Sequence, residues 1–231
     1  MARIRACVFD AYGTLYDVHS AVRRLAAEIG PAAEPLSRDW RARQLEYSWV
    51  RSLMGRHVDF WTVTGEALDT AMALHGLEDN DLRRRLLDAY RRLSAYPEVT
   101  GVLRQLKSKG LAVGVLSNGS PEMLADAASS AGLDHWIDMT WSVEAVGVYK
   151  PDARVYQLAC DGLRLAPEEI SFQSSNRWDA AGAANFGFHV VWVNRAGLPD
   201  EYRFAGPVQA VTDLSYLANV IDPPVWRPAE A

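Results

Sequence analysis

The chain has 231 residues, 49% hydrophobic and 23% charged, enough apolar material to bury a sizeable core and too much for a disordered chain. Lysine and arginine number 24 against 29 acids, a formal net charge of −5, which argues against nucleic acid as a partner because that needs a basic face. Cys7 and Cys160 sit in apolar runs without metal-ligand spacing and read as buried thiols; with no disulfide framework, no secretory leader and no apolar stretch long enough to span a bilayer, the chain reads as cytoplasmic, with no membrane partner.

Residues 4–9, "IRACVF", read as a short buried strand that runs into Asp10, and the chain turns at Gly13. The texture then changes. "VHSAVRRLAAEIG", "SRDWRARQLEYSWVRSLMG", "FWTVTGEALDTAMALHG" and "NDLRRRLLDAYRRLSAY" carry apolar residues at spacings of three and four, the pattern of amphipathic helices. Ser37 is read as the cap of the second, Gly30, Gly55 and Gly76 suit helix ends, and no strand is expected within this block. From Pro97 onward strands and helices alternate. A helix over 99–109 closes at Gly110, "LAVGVL" is a strand, and "SPEMLADAASSAGL" is a helix with Ser120 as cap and Pro121 in its first turn. "DARVYQLACDGLRL" (helix), "ISFQS" (strand), "WDAAGAANFG" (helix) and "HVVWV" (strand) follow, and the proline-rich tail "DPPVWRPAEA" reads as irregular.

Such alternation implies an α/β fold, a parallel sheet covered by helices on both faces. The economical architecture is a core domain in two pieces, 1–16 and 97–231, interrupted by an inserted all-helical cap domain over 17–96. Inserted domains above a sheet act as lids, so a cleft is expected between the two.

Open parallel sheets bind ligands beyond the carboxyl ends of their strands, and polar groups recur there. Asp10 follows "ACVF", Ser117 and Asn118 end the "AVGVL" run, and Ser174, Ser175 and Asn176 follow "ISFQ", with Asp179 at the start of the next helix. Lys150 lies in "VYKPD", just before a helix. Each alone reads as a cap or turn residue. Four such positions converging on one sheet edge point to a site.

The segments "VFDAYGTL", "LSNGS", "VYKPD" and "SSNRWDAAGA" resemble the four motifs of the haloacid dehalogenase superfamily, at matching spacing along nearly the whole chain. That resemblance implies a Rossmann-like core. Most of the superfamily are magnesium-dependent phosphatases whose first Asp is the nucleophile and whose second Asp, two residues on, protonates the leaving oxygen. Here that second position is Tyr12. The finer similarity is to the L-2-haloacid dehalogenase branch, in "FDAYGTLYDVHS", "WRARQLEYSWVRSLM" and "SSNRWDA", and so runs through the insert as well.

Elementary chemistry favours the branch. Phosphate-ester hydrolysis expels an alkoxide from a multiply charged group, which calls for an acid and a divalent cation. A departing chloride or bromide needs no proton, and lysine and arginine can balance a monoanionic substrate. A carboxylate at position 12 would repel both substrate and halide, whereas a ring gives an apolar wall and excludes water. The fourth motif lacks the Gly-Asp-Asp or Gly-Asp-Ser pattern that feeds oxygens to magnesium and keeps only Asp179, so no metal and no cofactor are expected.

The resemblance also implies roles. Asp10 attacks the α-carbon, inverts it, expels halide and forms an ester that water hydrolyses. Thr14, Ser174, Asn176 and Asp179 match positions that orient Asp10, Lys150 and the hydrolytic water, with Lys150 the counter-ion of Asp10. Tyr156 either hydrogen-bonds within the site or packs in the core. Ser117 matches the residue that binds the substrate carboxylate, helped by the N–H groups of the helix after Ser120. Arg41 shares a helix side with Leu45 and Trp49. It is either an arginine lying over apolar surface or a halide acceptor opposite Asn118, and "WRARQLEY" favours the acceptor. Tyr12, Phe60 and Trp178 would wall the halide pocket. Ala42 stands where that branch carries a polar glutamine, a departure that bears on substrate range. The expected activity is hydrolysis of short-chain (S)-2-haloacids to (R)-2-hydroxyacids by a homodimer. Alternatives are a defluorinating enzyme acting on fluoroacetate, a magnesium-dependent phosphatase, or a non-catalytic binding protein on the same fold.

Overall fold

The computed structural model describes residues 3–221; the tail "DPPVWRPAEA", read above as irregular, lies outside the described residues. "ACVF" forms strand β1 (Ala6–Phe9), every residue of it buried, as a continuous apolar run in a two-sided sheet should be. The chain then leaves the sheet through a two-residue strand, β2 (Tyr16–Asp17), and returns through β3 (Ser94–Ala95), which pairs with it antiparallel. This ribbon corrects the expectation that the inserted block holds no strand. Two residues of alternation are too few to leave a periodic signal.

Between the ribbon strands lie α1 (Ser20–Arg23), α2 (Ala26–Ile29), α3 (Ala33–Met54), α4 (Phe60–Leu74) and α5 (Asn80–Arg91). The single helix expected over 18–30 is thus two short ones, followed by a 3-10 turn at Gly30–Ala32. That turn runs straight into α3, so Ser37 lies inside the helix rather than capping it. Pro35 sits in the first turn, where a missing N–H costs nothing, and Ser37 Oγ instead pairs with His19 Nδ1 at 2.7 Å. Gly55 ends α3 with φ +62°, a left-handed conformation that glycine adopts without steric cost. Asp59 and Asp79 cap α4 and α5 by accepting backbone N–H groups. The long pair α3 and α4 is fastened by Trp40, whose Nε1 donates to Thr64 O at 2.9 Å.

After β3 come α6 (Val99–Ser108), β4 (Ala112–Ser117), α7 (Pro121–Ala131), β5 (Met139–Ser142), α8 (Ala153–Leu163), β6 (Ile170–Ser174), α9 (Arg177–Phe186), β7 (His189–Val193), β8 (Gln209–Val211) and α10 (Leu217–Ile221). Six strands form one sheet in the order β5-β4-β1-β6-β7-β8, all parallel. β5 and β8 are short, largely exposed edge strands, and for that reason their sequences carry no buried-strand pattern. Ser120 caps α7 as expected, accepting Met123 N–H. β1 lies between β4 and β6 with Phe9 in register with Val115 and with Gln173, so the residues that follow these three strands meet at one carboxyl edge. No helix among the described residues is long and apolar enough to cross a membrane.

Candidate active site

Asp10 follows β1 directly and is 6% exposed. Its Oδ2 accepts from Thr14 Oγ1 at 3.0 Å and from Asn176 Nδ2 at 2.8 Å, while Oδ1 faces Lys150 Nζ at 3.1 Å. Lys150 is 1% exposed, and its ammonium also lies 2.9 Å from Asp179 Oδ2 and 4.9 Å from the centre of the Phe172 ring. Tyr156, also buried, donates to Asp179 Oδ1 at 2.8 Å. That approach depends on Gly182 in α9, since a Cβ there would lie 2.5 Å from the Tyr156 hydroxyl. One ammonium therefore serves two carboxylates. Burial works to lower the Lys150 pKa, but Asp10 and Asp179 outweigh it and hold the ammonium above its ordinary 10.5. Asp179 is raised above 3.8, chiefly by burial and further by Asp10, with Lys150 opposing.

The loops around this array are fastened by their own polar groups. Thr14 Oγ1 accepts Ser175 N–H at 2.8 Å, which ties the loop after β1 to the loop after β6. Ser174 Oγ accepts Asn176 N–H at 3.2 Å and so shapes the turn that aims Asn176. Asn118 Oδ1 accepts the Lys150 N–H at 3.0 Å, and Ser117 Oγ accepts Gly119 N–H at 3.1 Å. A Cβ on Gly119 would come 2.8 Å from the Tyr12 ring, so the β4 loop passes that ring closely only because glycine is there.

The helical segment covers this floor. Tyr12 is buried, stacked on Tyr90 at 5.7 Å and tilted against Phe60 at 6.1 Å. Burial pushes its phenol pKa well above the ordinary value, so the ring stays neutral. Arg41 reaches down from α3, and its Nη2 donates to Tyr12 O at 3.2 Å and to Asn176 Oδ1 at 3.3 Å. Its Nη1 donates to Gln44 Oε1 at 2.8 Å. Gln44 is completely buried, and its Nε2 donates to Thr64 Oγ1 at 2.7 Å and to Tyr90 OH at 3.1 Å. Gln44, Thr64 and Tyr90 carry no motif that marks them in the sequence. The available signal was a polar residue at four-residue spacing between Trp40 and Ser48 on the buried side of α3.

Leu45 is half-buried on the same helix, and Ala42 is exposed to solvent. Trp178 meets Trp49 edge-on at 5.3 Å, and both line a cavity of about 520 Å³ that also touches Lys150, Tyr149, Leu53 and Tyr202. Among the described residues no group of three or more His, Cys, Asp or Glu side chains is placed to hold a metal ion. Burial raises the Cys7 thiol to about 12 and the Cys160 thiol to about 11, so neither is a thiolate near neutrality.

The profile of the haloacid dehalogenase-like hydrolases matches residues 4–187. (S)-2-haloacid dehalogenase 1 of Pseudomonas sp. (strain CBS-3) is 52% identical over 222 residues, covering 96% of this chain and 98% of its own. (S)-2-haloacid dehalogenase 4A of Burkholderia cepacia is 53% identical over 215 residues, covering 93% of each. A solved structure described as "Crystal Structure analysis of a Dehalogenase with intermediate complex" superposes with a TM-score of 0.93 at 51% identity, over 95% of this chain and 98% of that one.

Proposed function

The chain belongs to the haloacid dehalogenase-like hydrolases, in their L-2-haloacid dehalogenase branch, and we propose that it performs that branch's hydrolysis through an ester on Asp10, without a metal. The observation that carries this reading is the buried Asp10–Lys150–Asp179 array beneath the apolar Tyr12 stack. Asp10 Oδ2 is saturated by two donors, and Oδ1, which faces only Lys150, is the oxygen with a lone pair to give.

In the first step Asp10 Oδ1 attacks C2 of an (S)-2-haloacid in line. The C–O bond forms as the carbon–halogen bond breaks, the halide leaves with the electron pair, and C2 is inverted. The halide leaves toward the Arg41 guanidinium and toward the Asn118 amide, whose donor end is the one not facing Lys150 N–H. The substrate carboxylate sits against Ser117 and the backbone at the start of α7. In the second step water attacks Cγ of Asp10 and gives up a proton to Asp179. The bond from Cγ to the substrate oxygen then breaks as that proton passes to the departing oxygen, which releases the (R)-2-hydroxyacid and, with the second water proton lost to solvent, restores the Asp10 carboxylate. The raised pKa of Asp179 suits it to that transfer. Phe60, Trp178 and Leu45 supply apolar wall. Residues 17–96 act as the cap, and the enzyme works in the cytoplasm. The exposed apolar Val50, Leu53 and Met54 at the end of α3 support a homodimer.

A phosphatase reading finds a neutral, buried phenol where its proton donor should be. Halide release from each enantiomer of 2-chloropropionate and from fluoroacetate, measured in metal-free buffer with and without EDTA, tests the proposal. Release from the (S) enantiomer, unchanged by EDTA, is expected. Loss of activity in EDTA, or preference for the (R) enantiomer, would overturn it.

A further inference from the structure

The chain leaves the core through residues 14–17 and re-enters it through 94–98, so any movement of the helical segment over the sheet turns about these two crossings. One side chain grips both. Arg195 stands just beyond β7, in a loop held to the sheet edge by Asn194 N–H, which donates to Val211 O at 2.8 Å. Its Nη2 donates to Thr14 O at 3.0 Å, on the outgoing crossing. On the returning crossing its Nη1 lies 2.6 Å from Glu98 Oε1, and its guanidinium carbon sits 3.7 Å over the centre of the Tyr96 ring. The crossings are themselves joined by Tyr96 N–H, which donates to Leu15 O at 3.0 Å. The Arg195 side chain is only 18% exposed.

We propose that Arg195 is a positioning residue that couples the seating of the helical segment to the orientation of the nucleophile, through the Thr14 carbonyl; this rests on the reading of Asp10 as nucleophile. A planar guanidinium can lie on a ring while donating in its own plane to a carbonyl on one segment and setting its charge against a carboxylate on the other. A lysine ammonium has one point of charge and satisfies one of them. Thr14 is the link that matters, because its hydroxyl donates to Asp10 Oδ2 and accepts Ser175 N–H. With its carbonyl held by Arg195, the residue is tied to the returning crossing as well as to its own. A shift of the returning strand is then passed through Arg195 to the carboxylate that must attack in line, where small misplacements are costly.

The test is a double-mutant cycle of R195M and T14A read by single-turnover halide release, with hydrogen exchange of the segment 11–17 followed without substrate. R195M is expected to slow release by about tenfold in the parent and by less than about twofold in the T14A background, with KM little changed. It is also expected to speed exchange of segment 11–17. Multiplicative losses, or unchanged release by R195M, would overturn the proposal. Should R195M fail to fold, R195K enters the same cycle with the same two outcomes, because it keeps the charge and loses the second acceptor. Exchange separates the two readings. Faster exchange in R195M with no halide release by the parent would leave the clamp standing and remove the dehalogenation chemistry, whereas unchanged exchange with an active parent would remove the clamp alone.

Discussion

On the sheet side of the cleft, Lys150 lies within 3.1 Å of two carboxylates, and all three groups are nearly sealed from water. On the helical side the contacts are aromatic rings and a single arginine, held in place by an uncharged amide and two hydroxyls. The floor is thus a set of charges that compensate one another, while the roof is a set of neutral dipoles that aim one charge. Removing a member of the first strands a buried ion. Removing a member of the second leaves neutral donors and acceptors unpaired, which costs less folding energy and acts mainly on geometry.

K150M gives the largest effect expected. It leaves Asp10 and Asp179 facing each other without a cation and should lower stability by about 3–5 kcal/mol in urea denaturation, with halide release abolished. A variant that unfolds at the parent's urea concentration would show that the floor is not held by charge. Q44L probes the roof. It deprives Thr64, Tyr90 and Arg41 of a shared partner and should cost about 1–3 kcal/mol, while slowing halide release by about tenfold as Arg41 loses its aim. Loss of stability as large as that of K150M would erase the distinction between the two regions.

The smallest effect sharpens the same contrast by pH. The folded pKa of Lys150 lies above the ordinary 10.5 because two carboxylates outweigh its burial. Its contribution is therefore complete below 10.5 and is lost only as pH rises through the still higher folded value. In a pH–rate profile of the parent, no alkaline fall attributable to Lys150 should occur up to pH 10.5. An alkaline fall near neutrality in the parent, matched by loss of the Lys150 ammonium proton at the same pH in its NMR spectrum, would assign Lys150 a depressed value and contradict the pairing.

The two regions also differ in how far they could be read in advance. The floor groups sit at strand ends or in a short loop before a helix, so local pattern alone brought Asp10, Ser117, Lys150 and Ser174 to one edge, and the parallel order of the strands followed from their alternation with helices. The roof depends on pairs far apart in sequence. Gln44 and Tyr90 are 46 residues apart, and neither carries a local signature that names the other. Arg195 lies 181 residues from the carbonyl it grips, in a loop without any motif. Ser37 misled for the opposite reason: a serine before an amphipathic run is an ordinary cap signal, but a preceding 3-10 turn had already started the helix. The edge strands β5 and β8 stayed hidden because exposure removes the apolar run by which a buried strand is recognised.

The central claim is a covalent bond between Asp10 and the substrate carbon. Incubating enzyme in excess over (S)-2-chloropropionate in water enriched in the heavy oxygen isotope, followed by mass spectrometry of the peptide containing Asp10, reads that bond directly. The ester route places the heavy oxygen on the Asp10 carboxylate and leaves the first-formed 2-hydroxyacid unlabelled. Label found in the hydroxyacid, with none on Asp10, would mean that water attacks the carbon itself.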